Sequence, residues 1–345
     1  MTTVARVIAE DSGDLTALPK VELHSHLDCC LSHDAVRRID PGVTRERYEA
    51  LFAGPPRCAS LADFLKYTLN YRAMLQTERA LRIAVQDVFA QMAADGVVYA
   101  ELRFAPLVHL GDGLSADRVV ECVAEETARQ SEATGIDAGL ILCTLRDHDA
   151  GQSLATARLV ERHSRTGPVV ALDIAGDEIA HPLDPHLPAF DLVREAGLGV
   201  TVHAGEAGGP ESVREALDRT GTRRIGHGVR SAEDPALLDR LRNEGVHLEV
   251  CPASNVQTAV VPAPEAHPVD RLRRAGVRLG ISTDTRGVTN VRLTQEYERL
   301  RDLFGWTPAD FHAVNRDALA AAFAADPVRR RVGRALDAAY GRAPA

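Results

Sequence analysis

The chain has 345 residues, 45% of them hydrophobic and 26% charged, an ordinary balance for a soluble globular protein. A formal net charge of -9 excludes a nucleic acid or other polyanion as the main partner, because phosphate backbones need clustered Lys and Arg, and here the arginines interleave with Asp and Glu as on solvated helix faces. No apolar run reaches membrane-span length, the N-terminal MTTVARVIAEDSGDLTALPK lacks the apolar core of a signal peptide, and six cysteines without CxxC spacing suit free thiols in a reducing cytoplasm.

In chain order, eight short, apolar, β-rich runs recur. The first is VELHSH (21–26). About 70 residues then intervene, far beyond the usual short connection. They include LADFLKYTLNYRAMLQTERALRIAVQDVFAQMAADG and predict a helical cap inserted after strand one, residues 27–96. VVYAELRFAP (97–106), AGLILCTLR (138–146), VVALDIAG (169–176) and GVTVHAG (199–205) follow. RIGHGV (224–229), VHLEVCP (246–252) and VRLGISTD (277–284) complete the set. Spacers such as ADRVVECVAEETARQSEATG and PESVREALDRTG carry helical periodicity and close on Gly. Strands alternating with helices imply parallel pairing. Eight such units favour an α/β fold, a (β/α)8 barrel of the TIM type, over an open doubly wound sheet. C-terminal helices, residues 293–345, end the chain, and residues 1–345 read as a single domain.

In a parallel barrel the functional residues come from the C-terminal ends of the strands. Those ends hold His24 and His26, His203 with Glu206, His227, and Asp284. Residues two apart in a strand share a face, so His24 and His26 point the same way. With a third histidine and a carboxylate they make a nitrogen and oxygen donor set. Such a set suits Zn2+ best, with iron, cobalt or nickel as alternatives. An HxH alone is weak, and a lone strand-end Asp is usually a helix N-cap; the coincidence of four strand ends carries the inference. HAGEAGG lacks the Gly-Lys-Ser/Thr ending of a phosphate loop.

The runs LPKVELHSHLD, DIAGDE, TVHAGE, RIGHG, LEVCPASNVQT and STD, in this order from Leu18 to about Phe323, resemble the adenosine deaminase family of the amidohydrolase superfamily. The resemblance implies one zinc ion per chain, held by His24, His26, His203 and Asp284. It implies Glu206 as the acid that protonates the purine ring nitrogen, and His227 as the residue that orients and deprotonates the attacking water. It places Asp28 near the ribose and the Gly176 backbone N–H against the purine. ALDIAG has no lysine to be carboxylated as a bridging ligand, so a single metal is expected.

This constellation suits hydrolytic deamination. An aromatic C–NH2 is a poor electrophile and hydroxide is scarce at neutral pH; Zn2+ lowers the pKa of a bound water to about 7, and a proton donor at the ring nitrogen makes the carbon attackable. The resemblance implies a small purine as partner, with adenosine and 2'-deoxyadenosine as leading substrates. Two positions depart from the family. Thr285 stands where a second aspartate usually follows the ligand aspartate and contacts the far side of the base, and Cys29 stands where glycine is common. Adenine, N6-substituted AMP and aminodeoxyfutalosine therefore compete as substrates. A metal-dependent amidohydrolase acting on another bond, or a non-catalytic binding protein, are the readings from other classes. Among lesser residues, Glu101 and Arg103 are expected to pair inside the barrel, Ser254 and Asn255 to tie down the seventh loop through backbone hydrogen bonds, and His109 and His267 to have no functional part.

Overall fold

The computed structural model describes residues 15–341. Most of the N-terminal stretch read for a signal sequence, and residues 342–345 of the C-terminal helical region, lie outside the described residues.

Nine parallel strand segments form the inner wall. They are β1 (Lys20–His26), β2 (Val97–Phe104), β3 (Asp137–Leu145), β4 (Val169–Ala175), β5 (Gly199–Val200), β6 (Val202–Ala204), β7 (Arg224–His227), β8 (His247–Val250) and β9 (Arg278–Ile281). One ladder runs β1 to β5 and a second runs β6 to β9. Thr201 alone separates β5 from β6, so these two segments count as one strand and the wall has the eight foreseen. Hydrogen bonds join the ladders at both seams. The Thr201 N–H donates to the Leu172 carbonyl (3.0 Å) at one seam. At the other, the His26 N–H donates to the Asp284 carbonyl (2.7 Å) and the Asp284 N–H to that of His24 (3.0 Å). First and last strands thus lie side by side, the arrangement of a (β/α)8 fold.

Four helices stand between β1 and β2: α1 (His33–Ile39), α2 (Arg45–Leu51), α3 (Leu61–Met74) and α4 (Glu78–Ala94). The long helical run there is two helices rather than one, because the chain leaves helical geometry at Leu75 and restarts with the Thr77 hydroxyl capping the Ala80 N–H. Between the later strands come α5 (Ala116–Thr134), α6 (Ala150–His163), α7 (Leu187–Glu195), α8 (Pro210–Thr220), α9 (Pro235–Glu244), α10 (Pro252–Gln257) and α11 (Val269–Arg274). After β9 follow α12 (Arg286–Thr289), α13 (Leu293–Phe304), α14 (Pro308–Ala321) and α15 (Asp326–Ala339). The C-terminal helices are punctuated by Gly305, left-handed at φ 68°, by Pro308 as the first residue of α14 and by Pro327 as the second residue of α15.

The sequence pattern overran several strand ends by a few residues. The reason is conformational: His227 and Asp284 sit at positive φ (59° and 63°), where the backbone turns out of the ladder and aims the side chain across the mouth. These two non-glycine residues hold a disfavoured backbone at the residues of greatest chemical interest, as strained positions at functional sites do.

Candidate metal centre and active site

His24, His26, His203 and Asp284 converge at the C-terminal ends of the strands. One ligand atom from each lies within 4.8 Å of the others. The His26 and His203 Nε2 atoms face each other at 3.2 Å, and Asp284 Oδ1 lies 3.3 Å from His24 Nε2 and 3.4 Å from His26 Nε2. Burial pushes the His26 ring down to about 3, so it is neutral with a lone pair to offer. His24 Nε2 is buried without a hydrogen-bond partner, a costly state unless a ligand meets it. Three inward lone pairs and a carboxylate at this spacing fit a divalent cation and leave little reason to sit together without one.

Three of the four candidate ligands are held from behind. His24 Nδ1 pairs with Glu249 Oε2 (2.9 Å) and His203 Nδ1 with Asp173 (3.1 Å), so that in a neutral ring donating through Nδ1 each Nε2 lone pair faces inward. The Ser254 hydroxyl donates to Asp284 Oδ2 (2.6 Å). Arg103, fully buried, ties the two supporting carboxylates together: Nη1 donates to Asp173 (2.7 Å) and Nη2 to Glu249 (2.5 Å). Arg224 caps the far oxygen of Glu249 through Nε (2.8 Å). Such partners fix ring orientation and raise ligand basicity.

This network corrects two expectations. Arg103 does not pair with Glu101, which takes Arg224 instead (2.6 Å). Ser254 and Asn255 bond site side chains, Asp284 and His227, rather than loop backbone. Glu249 was missed by sequence reasoning; the available signal was a carboxylate inside the apolar strand VHLEVCP, which a buried strand carries only with partners.

A cavity of about 280 Å3 opens over the cluster, lined by Leu61, Phe64, Leu65 and Leu69 of α3 on one side and by Glu206, His227 and Asp28 on the other. Glu206 Oε2 lies 3.6 Å from His227 Nε2. Burial, and then the nearby negative charges of Asp284, Glu178 and Asp177, push the Glu206 carboxyl well above its usual range, a shift that favours its acid form. Burial pushes the His227 ring well below 6.5, with the charge of nearby His24 adding to it. Asp28 follows β1 in a short 3-10 turn and accepts from the Ala105 N–H (3.2 Å) and faces His109 Nε2 (3.4 Å). Burial would raise its carboxyl, but the His109 contact and charge bring it down to about 2. His109, given no functional part from the sequence, is the residue that faces Asp28 here.

Gly176 ends β4 at φ 111°, a backbone that side chains other than glycine rarely adopt, and it lines the cavity. Thr285 also lines it, and its hydroxyl is buried with no hydrogen-bond partner. Cys29 is buried at the same wall.

The sequence model of the adenosine deaminase family matches residues 19–339. An adenosine deaminase of Streptococcus thermophilus is 35% identical over 335 residues, covering 95% of this chain and 98% of its own. Among solved structures, an adenine deaminase from Arthrobacter aurescens superposes with a TM-score of 0.84 at 26% identity, covering 93% of this chain and 98% of its own. The N6-methyl-AMP deaminase of Arabidopsis thaliana gives 0.81 at 25% identity, covering 94% and 97%. No helix among the described residues is long and apolar enough to cross a membrane. With its clustered donors, its buried acid and a match over almost its whole length, the chain belongs to the adenosine deaminase family and is a deaminase that hydrolyses the C–N bond of an adenine-type purine.

Proposed function

We propose that the protein is a mononuclear zinc enzyme that converts adenosine and 2'-deoxyadenosine to their inosine counterparts and ammonia. The observation that carries this is the four-donor cluster beside a buried carboxyl, Glu206, whose pKa is pushed up, in a cavity that α3 walls with apolar side chains on one side. His24, His26, His203 and Asp284 would hold the metal. When bound, Zn2+ lowers the pKa of water to about 7 and so supplies the nucleophile. Glu206 gives its proton to the ring nitrogen beside the amino-bearing carbon, drawing electron density from that carbon as oxygen attacks. His227 orients the attacking water. The neutral ring of the purine packs against α3, whose leucines exclude bulk water, and the Gly176 N–H meets the base edge. Asp28, held ionised, accepts from a ribose hydroxyl. Six buried cysteines, all unpaired, support a reducing cytosolic compartment, and residues 27–96 serve as the cap of a single barrel domain.

The second reading keeps this chemistry and changes the substrate to free adenine or an N6-substituted AMP, the substrates named for the two structural relatives. The observation favouring it is Thr285, which offers the base one neutral hydroxyl. Ammonia release from adenosine, deoxyadenosine, adenine and aminodeoxyfutalosine, and methylamine release from N6-methyl-AMP, separate the readings. Adenosine is expected to give the highest kcat/KM; silence with adenosine and turnover of adenine would move the assignment. Chelation is expected to abolish release and added Zn2+ to restore it. A protein fully active after its metal content falls to background would rule out metal chemistry here.

Thr285→Val tests the substrate contact cleanly. The hydroxyl has no partner in the folded chain, so its loss should leave thermal stability unchanged or raise it by about 1 kcal/mol. Loss of one hydrogen bond to the base should lower kcat/KM roughly tenfold. A stable variant with unaltered kcat/KM on the best substrate would remove Thr285 from the binding site.

A further inference from the structure

The ring of His227 is tied to a second buried histidine, and the tie determines which of its nitrogens carries a proton. His267, 5% exposed, lies two residues before Val269, the first residue of α11. The Val269 backbone N–H donates to His267 Nδ1 (3.1 Å). A backbone N–H can only donate, so that nitrogen is unprotonated. Burial pushes the ring down to about 3, so it is neutral, and its one proton sits on Nε2. His267 Nε2 faces the side chain of Asn255 at 3.3 Å, and the atom it meets must be an acceptor, Oδ1. Turning the amide over would set an NH2 group against an N–H.

The orientation of Asn255 is thereby fixed, and its Nδ2 donates to His227 Nδ1 (3.1 Å). Both side chains in this relay are buried, Asn255 completely, so water does not offer them alternatives. A neutral His227 whose Nδ1 accepts carries its proton on Nε2, the nitrogen that lies 3.6 Å from Glu206. The same helix turn of α10 supplies Ser254, which holds Asp284, so two adjacent side chains set the geometry of two site residues.

We propose that His267 and Asn255 are positioning residues that hold His227 in its Nε2–H tautomer, making it a hydrogen-bond donor to the attacking water rather than the base that deprotonates it. The assignment deepens the deaminase reading and rests on it for the identity of the water. A ring already protonated at Nε2 has no lone pair toward the cavity; it aims an oxygen lone pair at the carbon by holding the oxygen from the other side. The proton that the water gives up then passes to the Asp284 carboxylate, the one carboxylate of the donor cluster.

The test reads the tautomer without turnover. In zinc-loaded, 15N-histidine-labelled full-length protein, two-bond 1H–15N spectra, assigned with a His227→Gln variant, should show His227 protonated on Nε2. Asn255→Asp keeps the shape of the side chain but presents an acceptor to both rings. It should switch His227 to the Nδ1–H tautomer and lower kcat roughly 10²-fold, with zinc content and KM near the parent values. His267→Ala should give a mixture of tautomers; if it fails to fold, Asn255→Asp alone answers the question. An Nδ1–H ring in the parent protein, or an Asn255→Asp variant with the switched tautomer and undiminished kcat, would overturn the proposal. Absence of turnover on every purine would sink the deaminase reading instead, and the spectra would still report the tautomer.

Discussion

Glu206→Gln is expected to lower kcat for ammonia release roughly 10³-fold, within the range that a positioned proton donor contributes, while zinc content and the fold stay as in the parent protein. Glutamine matches glutamate in size and can still touch the purine, but its amide is no acid at any accessible pH. The expectation rests on how the carboxyl is housed. It is buried, the His227 ring lies 3.6 Å away, and the charges that act on it are the carboxylates of Asp284, Glu178 and Asp177. Burial and these charges raise its pKa, which favours the acid form. The sign follows: activity should hold below the raised pKa and fall as pH rises through it, since the carboxylate has no proton to give. Initial rates on the best substrate from pH 6 to 10, with zinc measured on each sample, read both effects (the pH limits are about the range spanning a raised carboxyl and an unshifted tyrosine). A loss smaller than tenfold would show that the ring nitrogen takes its proton from elsewhere.

The donors were legible in the sequence because a parallel barrel gathers strand ends at one mouth, so His24, His26, His203 and Asp284 could be brought together without coordinates. Strand identity was legible for the same reason: VVALDIA or AGLILC can only be buried on both faces. What escaped was side-chain pairing within the barrel. Arg103 could as well have met Glu101, its neighbour two residues away, as Asp173 and Glu249, which approach only once β2, β4 and β8 curve round a common interior. Pairings of this kind depend on strand tilt and closure, which local periodicity does not encode. His109 and His267 escaped because a histidine in a loop has no pattern. Their contacts are with Asp28 and Asn255, residues distant in sequence by 81 and 12 positions.

Arg103→Met is expected to be the most damaging change outside the donor set itself. The guanidinium lies at 0% exposure between two carboxylates, and Nη2 also donates to the Leu23 carbonyl (2.6 Å). Removing it leaves Asp173 buried with the His203 ring, the Cys143 thiol and the Ile174 N–H but no cationic side chain that is always charged, and leaves Glu249 to Arg224, Thr201 and His24. An uncompensated buried charge of this kind costs about 3–5 kcal/mol. The loss should appear as a lower denaturant midpoint in the metal-free protein, where zinc cannot mask it by binding the folded state. Because Asp173 and Glu249 orient two of the ligand rings, zinc affinity should fall about 10–100-fold as well, measured by competition with a chromophoric chelator. Arg103→Lys separates charge from geometry. An ammonium restores the positive charge but cannot reach both carboxylates as a planar fork does, so it should recover part of the stability and little of the zinc affinity. If Met at this position left both quantities unchanged, the ligand rings would owe their orientation to the strands alone, and the buried arginine would be a passenger in the barrel.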